Sequence, residues 1–588
     1  MKKRRVLAYI LIVLLIVTGS LNACSKKDTG SKDMSERNSK TQETDLPISD
    51  EVVTKDGDIS GEGAKNSTTA QEEKSSVEYD TEEGITDSSP AESKYDEIGN
   101  LEPKYFSTPA VPNTEEYTKI DEAGFFKDVN SSPLSTFSID VDTASYTNIR
   151  KNINYGIIPE ADAVRIEEML NYFTYDYEEP KGNTPFSINT EIGECPWNED
   201  NYLLTVGILG RSVDKENLPK SNLVFLIDVS GSMDEPDKLP LLKNAFSQLV
   251  NVLSEDDRVS IVVYSGDTGV VLDSVPGNEK DLILDAIESL SPGGSTGGAA
   301  GIDLAYRLAE ENFIKDGNNR VILATDGDFN VGPSSIEELE SIIVEKKESN
   351  IFLSVMGFGS GNLKDNKMEV LADKGNGNYS YIDSTKEARK VLVDEMAGTL
   401  FTIAKDVKIQ LEFNPISVAG YRLIGYENRA LNDEDFEDDK IDAGELGAGH
   451  RVTAIYEIIP AGIPQGKKEL KYQSKETKVD SEYRNEISEV RLRYKEPKGE
   501  TSKEIKQVVS FLNTPVDGKR LSADFYFAAA VAEFGMILRN SEYKGNSSLE
   551  SVMDLAEKGL GNDEEGYRLE FMNLVDQYEE LLSYQWYE

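Results

Sequence analysis

One apolar run in this sequence ends in an aspartate that is followed by two serines at alternate positions. The run Phe225–Ile227 leads into Asp228, and Ser230 and Ser232 come next. Carboxylate and hydroxyl oxygens are hard donors, the kind that bind Mg²⁺ or Mn²⁺ in proteins. By itself this pattern is also typical of an aspartate at a strand end with serines that cap the next helix.

A second aspartate and a glycine-rich loop extend the pattern. Asp326 follows the apolar run Val321–Ala324, and the loop Ser291-Pro-Gly-Gly-Ser-Thr-Gly-Gly carries the hydroxyls of Ser295 and Thr296. Two carboxylates and three hydroxyls do not fill an octahedral shell, so waters would complete it and one position could accept a carboxylate from a partner. The predicted ligands of Mg²⁺ or Mn²⁺ are Asp228, Ser230, Ser232, Asp326 and one loop hydroxyl, from Ser295 or Thr296.

The segment that carries these residues alternates between strand-like and helix-like patterns. Apolar runs of strand length occur at Leu223–Ile227, Val259–Val263, Val321–Ala324 and Ile351–Val355, with helical spacing between them. Strands that are apolar on both faces predict a doubly wound α/β fold with a mainly parallel sheet. Ligands bind at the carboxyl ends of the strands in such sheets, so both aspartates should reach the same rim.

These residues resemble the metal-ion-dependent adhesion site of the von Willebrand factor type A family. The family's Asp-x-Ser-x-Ser motif matches Asp228, Ser230 and Ser232, and its Thr-Asp-Gly aspartate matches Asp326. Its loop threonine matches Thr296, although the loop is one residue longer than the common form, which leaves Ser295 as the alternative. The resemblance implies metal-dependent capture of a Glu or Asp carboxylate on a protein ligand.

The flanks resemble a narrower group of bacterial lipoproteins with a type A domain. The stretches Leu134–Tyr146 and Asp162–Phe173 are typical of the segment that precedes this domain in the group. The resemblance implies an N-terminal region over residues 105–219, a type A domain over 220–404 and a C-terminal domain of unknown function over 405–588. Local patterns predict that the first region is small and mixed, and that the last is β-rich and ends in helices.

The beginning of the chain reads as a lipoprotein signal peptide over residues 1–23. Four basic residues precede the apolar run Val6–Val17, and Leu21-Asn-Ala-Cys24 resembles a lipobox. This predicts a lipid on Cys24 and an anchor in a bacterial membrane, on its outer face. The alternative is an uncleaved anchor in which the cysteine occurs by chance. Residues 24–104 are acidic and nearly free of apolar clusters, so we expect a disordered tether there.

Charge and composition exclude several classes of function. The formal net charge is −46, with 108 acidic and 62 basic residues, which disfavours nucleic acid as a partner. The one histidine, His450, excludes a zinc site with two histidines, and a surface loop is its expected place. The expected role of Cys195 is that of a buried structural thiol.

Three hypotheses of function follow. The first is a surface-anchored binding protein, not an enzyme, that holds its ligand through the metal. The second is a structural envelope protein in which the metal only stabilises the fold. The third is a phosphatase, because Asp140-Val-Asp142 resembles the Asp-x-Asp opening of haloacid dehalogenase-type enzymes. Against it, Ala144 departs from that pattern and no large α/β domain follows before residue 220, which favours a strand end that caps the helix predicted near Ser145–Ile153.

Overall fold

The computed structural model describes twelve parts of the chain between residues 115 and 585. They are 115–122, 126–213, 218–266, 268–294, 298–327, 336–347, 349–361, 363–396, 398, 401–462, 483–510 and 521–585. The predicted signal peptide, Cys24 and the predicted tether over 24–104 lie outside the described residues, as do Ser295 and Thr296. Among the described residues, no helix is long and apolar enough to cross a membrane.

The strands are β1 (Lys127–Asp128), β2 (Leu134–Ser138), β3 (Phe186–Glu194), β4 (Tyr202–Gly210), β5 (Ser221–Asp228), β6 (Arg258–Tyr264), β7 (Thr268–Pro276), β8 (Asn318–Thr325), β9 (Phe352–Phe358), β10 (Tyr379–Ile382), β11 (Thr402–Phe413), β12 (Val418–Ile424), β13 (Gly444–Gly447), β14 (Arg451–Pro460), β15 (Glu486–Lys495) and β16 (Lys503–Ser510). The helices are α1 (Ala144–Asn154), α2 (Ile166–Asn171), α3 (Leu239–Val252), α4 (Lys280–Glu288), α5 (Gly298–Glu311), α6 (Ile336–Lys347), α7 (Asp365–Lys374), α8 (Thr385–Arg389), α9 (Ala523–Leu538), α10 (Leu549–Gly559) and α11 (Tyr567–Gln585). A π-helical turn, Lys390–Asp394, follows α8.

The central α/β domain contains a six-stranded sheet in the order β10-β9-β8-β5-β6-β7. All its neighbouring strands are parallel except β6 and β7, which are antiparallel. Buried side chains fill a core on each face of the sheet, so the predicted doubly wound fold is confirmed. The helical face predicted between the first two strands is buried in α3, where Phe246 stacks on Phe225 of β5 with ring centroids 4.3 Å apart.

The strand register explains why the two aspartates meet. Ile227 of β5 lies opposite Ala324 of β8, and Asp228 lies opposite Tyr264 of β6. Asp228 is therefore level with the last residue of β8, and Asp326 follows directly after that residue. Because the three strands are parallel, their carboxyl ends form one rim, as the sequence predicts.

The two flanks share their sheets. Strand β4 pairs with β14 and β2 pairs with β11, so each pairing joins a strand from residues 105–219 to one from residues 405–588. One core contains Phe137 and Ile208 from the first flank and Ile409 and Tyr456 from the second. The sequence treats the flanks as separate regions, because pairing between strands more than 200 residues apart leaves no local pattern.

A helical layer completes this flanking body. Helices α1 and α2 pack with α9, α10 and α11 around a shared apolar core. The rings of Phe173 and Phe527 lie 4.8 Å apart, edge to face, and Phe571 packs against both. The β-rich C-terminal region that ends in helices is thus confirmed, although its helices pack on those of the first flank.

The structure tests the predicted environments of Cys195 and His450. Cys195 is free and buried, and burial raises the pKa of its thiol well above the usual range, as expected of a structural cysteine. His450 lies in the loop between β13 and β14, as expected, but it is half-buried there because Gly398 packs directly against its ring. Burial lowers the pKa of His450 to about 4, so the ring is neutral at pH 7.

Candidate metal site at the sheet rim

Asp228 is fully buried and its carboxylate is held from three sides. The backbone N–H of Ser230 donates to Oδ1 at 2.8 Å, and the hydroxyls of Tyr264 and Thr325 donate to Oδ2 at 3.2 Å each. These donors come from the turn after β5 and from the ends of both neighbouring strands. The fold therefore fixes the direction of this carboxylate at the rim.

The hydroxyls of the two motif serines lie side by side. Ser230 Oγ and Ser232 Oγ are 3.0 Å apart, and a 3₁₀ turn, Gly231–Met233, brings the second serine back next to the first. Ser230 is buried and Ser232 is exposed, so the turn runs from the interior to the surface. Two hydroxyl oxygens beside a buried carboxylate form a cluster of hard donors with access to solvent.

Asp326 brings a second negative charge to the same rim. Its side chain is fully buried, and Lys238 Nζ donates to its Oδ2 at 2.9 Å. Burial raises the pKa of Asp228 to about 6, and the charge of Asp326 adds to the increase, while hydrogen bonds from Ser230 and Thr325 oppose it. Two neighbouring carboxylates at one sheet edge would stabilise a divalent cation.

The described part of the glycine-rich loop lies beside the turn after β5. Gly293 N–H donates to the carbonyl of Val229 at 2.8 Å, and Gly231 N–H donates to the carbonyl of Gly294 at 3.2 Å. Gly294 has a φ of 83°, which only glycine adopts easily, and it packs closely on Ser265. The described part of the loop thus ends beside the two serines, and the choice between Ser295 and Thr296 as a metal ligand stays a prediction.

These residues fit a hard divalent ion. Two buried carboxylates and two neighbouring hydroxyls meet at one sheet edge, and we name Asp228, Ser230, Ser232, Lys238 and Asp326 together the rim. Groups of three or more His, Cys, Asp or Glu residues suited to a metal are absent from the part of the chain that the structure describes. A metal site here would accordingly use hydroxyls and waters as well as carboxylates.

Sequence reasoning missed one member of the rim, Lys238. Besides Asp326, its ammonium donates to the carbonyl of Ser232 at 3.0 Å. A lysine directly before the helix α3 carries no signal in the sequence that marks it as part of a site. Its position depends on Gly359, at the end of β9, against which its methylene groups pack.

Asp140 and Asp142, the pair in the phosphatase hypothesis, are both buried beside Arg429. Arg429 donates to Asp140 at 3.1 Å and to Asp142 at 3.3 Å, and Asp142 also accepts from the backbone N–H of Tyr379 at 2.8 Å. Neither aspartate caps α1, since Glu168 accepts the N–H of Ser145 there at 2.8 Å. These contacts occupy the carboxylates and favour a structural role over that of a nucleophile.

Comparison with known protein families assigns all three regions of the chain. The model of the von Willebrand factor type A domain matches residues 222–395, and a model described as von Willebrand factor matches residues 111–205. A third model, described as the C-terminal part of the uncharacterized protein YfbK, matches residues 398–581. Type A domains often bind a metal at a metal-ion-dependent adhesion site. The rim contains carboxylate and hydroxyl oxygens, which are ligands of the type that such a site would use.

Among similar proteins, YfbK from Escherichia coli strain K12 is 43% identical over 479 residues, covering 79% of this chain and 81% of that protein. Human inter-alpha-trypsin inhibitor heavy chain H3 is 27% identical over 263 residues, which are 41% of this chain and 28% of that protein. A solved structure of a von Willebrand factor type A protein from Catenulispora acidiphila shares 17% identity, with a TM-score of 0.36, over 66% of this chain and 89% of that one. The identity to YfbK over most of both proteins shows that this chain, with a type A domain at its centre, belongs to the YfbK family.

Proposed function

We propose that this chain is a non-enzymatic binding protein that captures a protein ligand through Mg²⁺ or Mn²⁺ held at the rim. The observation that carries the proposal is the meeting of Asp228, Ser230, Ser232 and Asp326 at the carboxyl ends of β5 and β8. Ser295 or Thr296 would add a further hydroxyl. When bound, the ion would leave one position open for a Glu or Asp carboxylate of the ligand.

The charge of the chain supports a cation as the link to an acidic ligand. A chain with a formal net charge of −46 repels acidic proteins at long range, and it disfavours nucleic acid as a partner. A divalent cation at the rim would reverse the sign of the field locally. Capture of an acidic ligand should therefore depend on the metal more strongly than it would on a neutral surface.

We further propose that the protein is a lipoprotein anchored in a bacterial membrane and exposed on its outer face. The support is Cys24 at the end of the lipobox-like segment and the acidic stretch that follows it. A Cys24→Ala variant should move from the membrane fraction to the soluble fraction and lose incorporation of labelled palmitate. A variant that stays in the membrane fraction with its label would refute the anchor.

Affinity capture from an envelope extract tests the proposed binding. The wild-type chain should retain a ligand in Mg²⁺ and release it in EDTA, and an Asp228→Ala variant should retain none. Asp281→Ala is a matched control, because Asp281 is an exposed aspartate on α4 of the same domain. Capture that is unaffected by both EDTA and Asp228→Ala would overturn the proposal.

The wild-type chain and the envelope extract also distinguish metal-dependent adhesion from the alternative of a structural envelope protein. If the metal only stabilises the fold, EDTA lowers the melting temperature of the wild type but leaves the captured proteins unchanged. If the rim binds the ligand, EDTA releases the ligand at temperatures well below the melting temperature. A titration with Mg²⁺ or Mn²⁺ followed by calorimetry measures the metal itself, independently of the ligand.

A further inference from the structure

A lysine stands among the proposed metal ligands. Lys238 Nζ lies 2.9 Å from Asp326 Oδ2 and 3.0 Å from the carbonyl oxygen of Ser232. The side chain of Lys238 is 8% exposed and that of Asp326 is fully buried, so water and salt screen this pair weakly. The fold thus holds a cation of its own on one of the two carboxylates of the rim.

The position of this ammonium is fixed by the packing of its side chain. Gly359 has a φ of 74° and lies so close to the methylene groups of Lys238 that a Cβ there would collide with them. The hydroxyl of Tyr381 donates to the carbonyl of Gly359 and holds that backbone in place. Lys238 also directly precedes α3, whose Leu242 is fully buried in the domain core. The lysine therefore has little freedom to leave the rim.

We infer that Lys238 opposes the divalent cation at the rim. Its ammonium stabilises Asp326 when no metal is bound, and it repels a divalent ion that approaches the same carboxylate. Removal of this charge should make metal binding tighter and the protein without metal less stable. The inference rests on the proposed metal binding. It adds that Lys238 lowers the affinity of the rim for its metal below the affinity that the two carboxylates would give without the lysine.

The test compares Lys238→Met with the wild type, both as the full chain. Methionine keeps much of the apolar stem that packs on Gly359 but has no charge. After removal of divalent ions, calorimetry with Mg²⁺ should show binding about tenfold tighter in the variant, equivalent to about 1.4 kcal/mol. In EDTA the melting temperature should fall, because Asp326 loses its buried counter-charge.

Three further variants separate the effect of the Lys238 charge from effects of misfolding and of general charge loss. Lys238→Gln retains a hydrogen-bond donor without the charge, so it should bind Mg²⁺ more tightly even if the methionine variant folds poorly. Lys238→Arg retains the charge and should bind Mg²⁺ within a few-fold of the wild type. Lys243→Met removes the same charge from α3, where the ammonium contacts the carbonyl of Glu288 rather than the rim, and should change neither quantity.

The outcomes separate this inference from the proposed function. If the wild type binds Mg²⁺ and both neutral variants bind it equally or more weakly, Lys238 is only structural and the inference is refuted. If the wild type and the variants all fail to bind Mg²⁺ and Mn²⁺, the proposed function and the inference both fail. Binding that appears only in the neutral variants would support the inference in its strongest form.

Discussion

Two groups of buried carboxylates in this molecule differ in how their charge is balanced. At the rim, Asp228 and Asp326 accept from hydroxyls, one backbone N–H and a lysine. At the contact between the type A domain and the flanking body, six carboxylates surround two arginines. We name this second group the junction cluster, and its members are Asp140, Asp142, Arg165, Glu168, Asp365, Glu369, Asp373 and Arg429.

Two arginines hold the junction cluster together. Arg429, from the second flank, contacts Asp140 and Asp142 of the first flank and Glu369 and Asp373 of the type A domain, at 2.5 to 3.3 Å. A guanidinium offers five donors in a fixed plane, so one side chain can satisfy several carboxylates at once. The cluster thereby ties together all three regions of the chain.

At the rim, the charges of the two aspartates are balanced by hydroxyls, one backbone N–H and a lysine instead of arginines. Hydroxyls can accept from a neighbour or bind a metal as readily as they donate, and a lysine is a single point charge. Glycines rather than bulky side chains border the turn after β5. The contacts thus favour a structural role for the Asp-x-Asp pair beside an arginine, whereas an aspartate among hydroxyls and glycines is able to exchange partners.

Substitution of Arg429 should give the largest effect. Arg429→Met leaves Asp140 and Asp142 buried without their guanidinium, and breaking a buried charge pair in this way costs about 3–5 kcal/mol. The measurement is the shift of the first urea-unfolding transition. Arg389→Met is the control, because the Arg389 side chain is 64% exposed and its ion pair is worth at most about 1 kcal/mol. Equal shifts for the two variants would mean that the junction cluster does not hold the regions together.

Addition of Mg²⁺ should distinguish the two groups of carboxylates directly. At a hundredfold excess over its dissociation constant, a ligand that binds only the folded state stabilises it by about 2.7 kcal/mol. The melting temperature of the wild type should therefore rise in Mg²⁺, and Asp228→Ala should lose this rise. Asp142→Asn should keep the full rise, whatever its melting temperature in EDTA. A rise that disappears in Asp142→Asn and persists in Asp228→Ala would reverse the assignment of the two clusters.

The rim was largely predictable because its residues sit at strand ends. Once β5 and β8 are recognised as parallel neighbours, the geometry of the sheet alone brings Asp228 and Asp326 to one edge. Lys238 was not predictable, since its place depends on a glycine with positive φ more than a hundred residues later in the chain. A local pattern cannot encode such a contact.

The junction cluster was hidden for a similar reason. Asp140 and Asp142 form a recognisable sequence motif, but their partner Arg429 lies almost 300 residues away in the chain. The same distance hid the pairing of β2 with β11 and of β4 with β14, although local patterns predicted a mixed first flank and a β-rich second one. Sequence patterns therefore predicted the elements and missed the contacts between the flanks.

A change of pH should give a smaller effect, to which Asp365 of the junction cluster contributes. Burial raises the pKa of Asp365 to about 6 from its ordinary 3.8, although Arg165 opposes the increase. A carboxyl with a raised pKa in the folded state contributes stability below its unfolded pKa and loses it as the pH rises through its folded pKa. Between pH 7 and pH 5, protonation of Asp365 should therefore add about 1 kcal/mol to the free energy of unfolding.

Asp365→Asn removes this contribution, and Asp256→Asn is its exposed control on the same domain, where the aspartate pairs with Lys220 at the surface. Urea unfolding of the three proteins at pH 5 and pH 7 measures the difference. The gain on acidification should shrink by about 1 kcal/mol in Asp365→Asn and stay unchanged in the control. A gain that is the same in all three proteins would show that Arg165 keeps Asp365 ionised at pH 5, and that the arginines balance the junction charges more completely than burial opposes them.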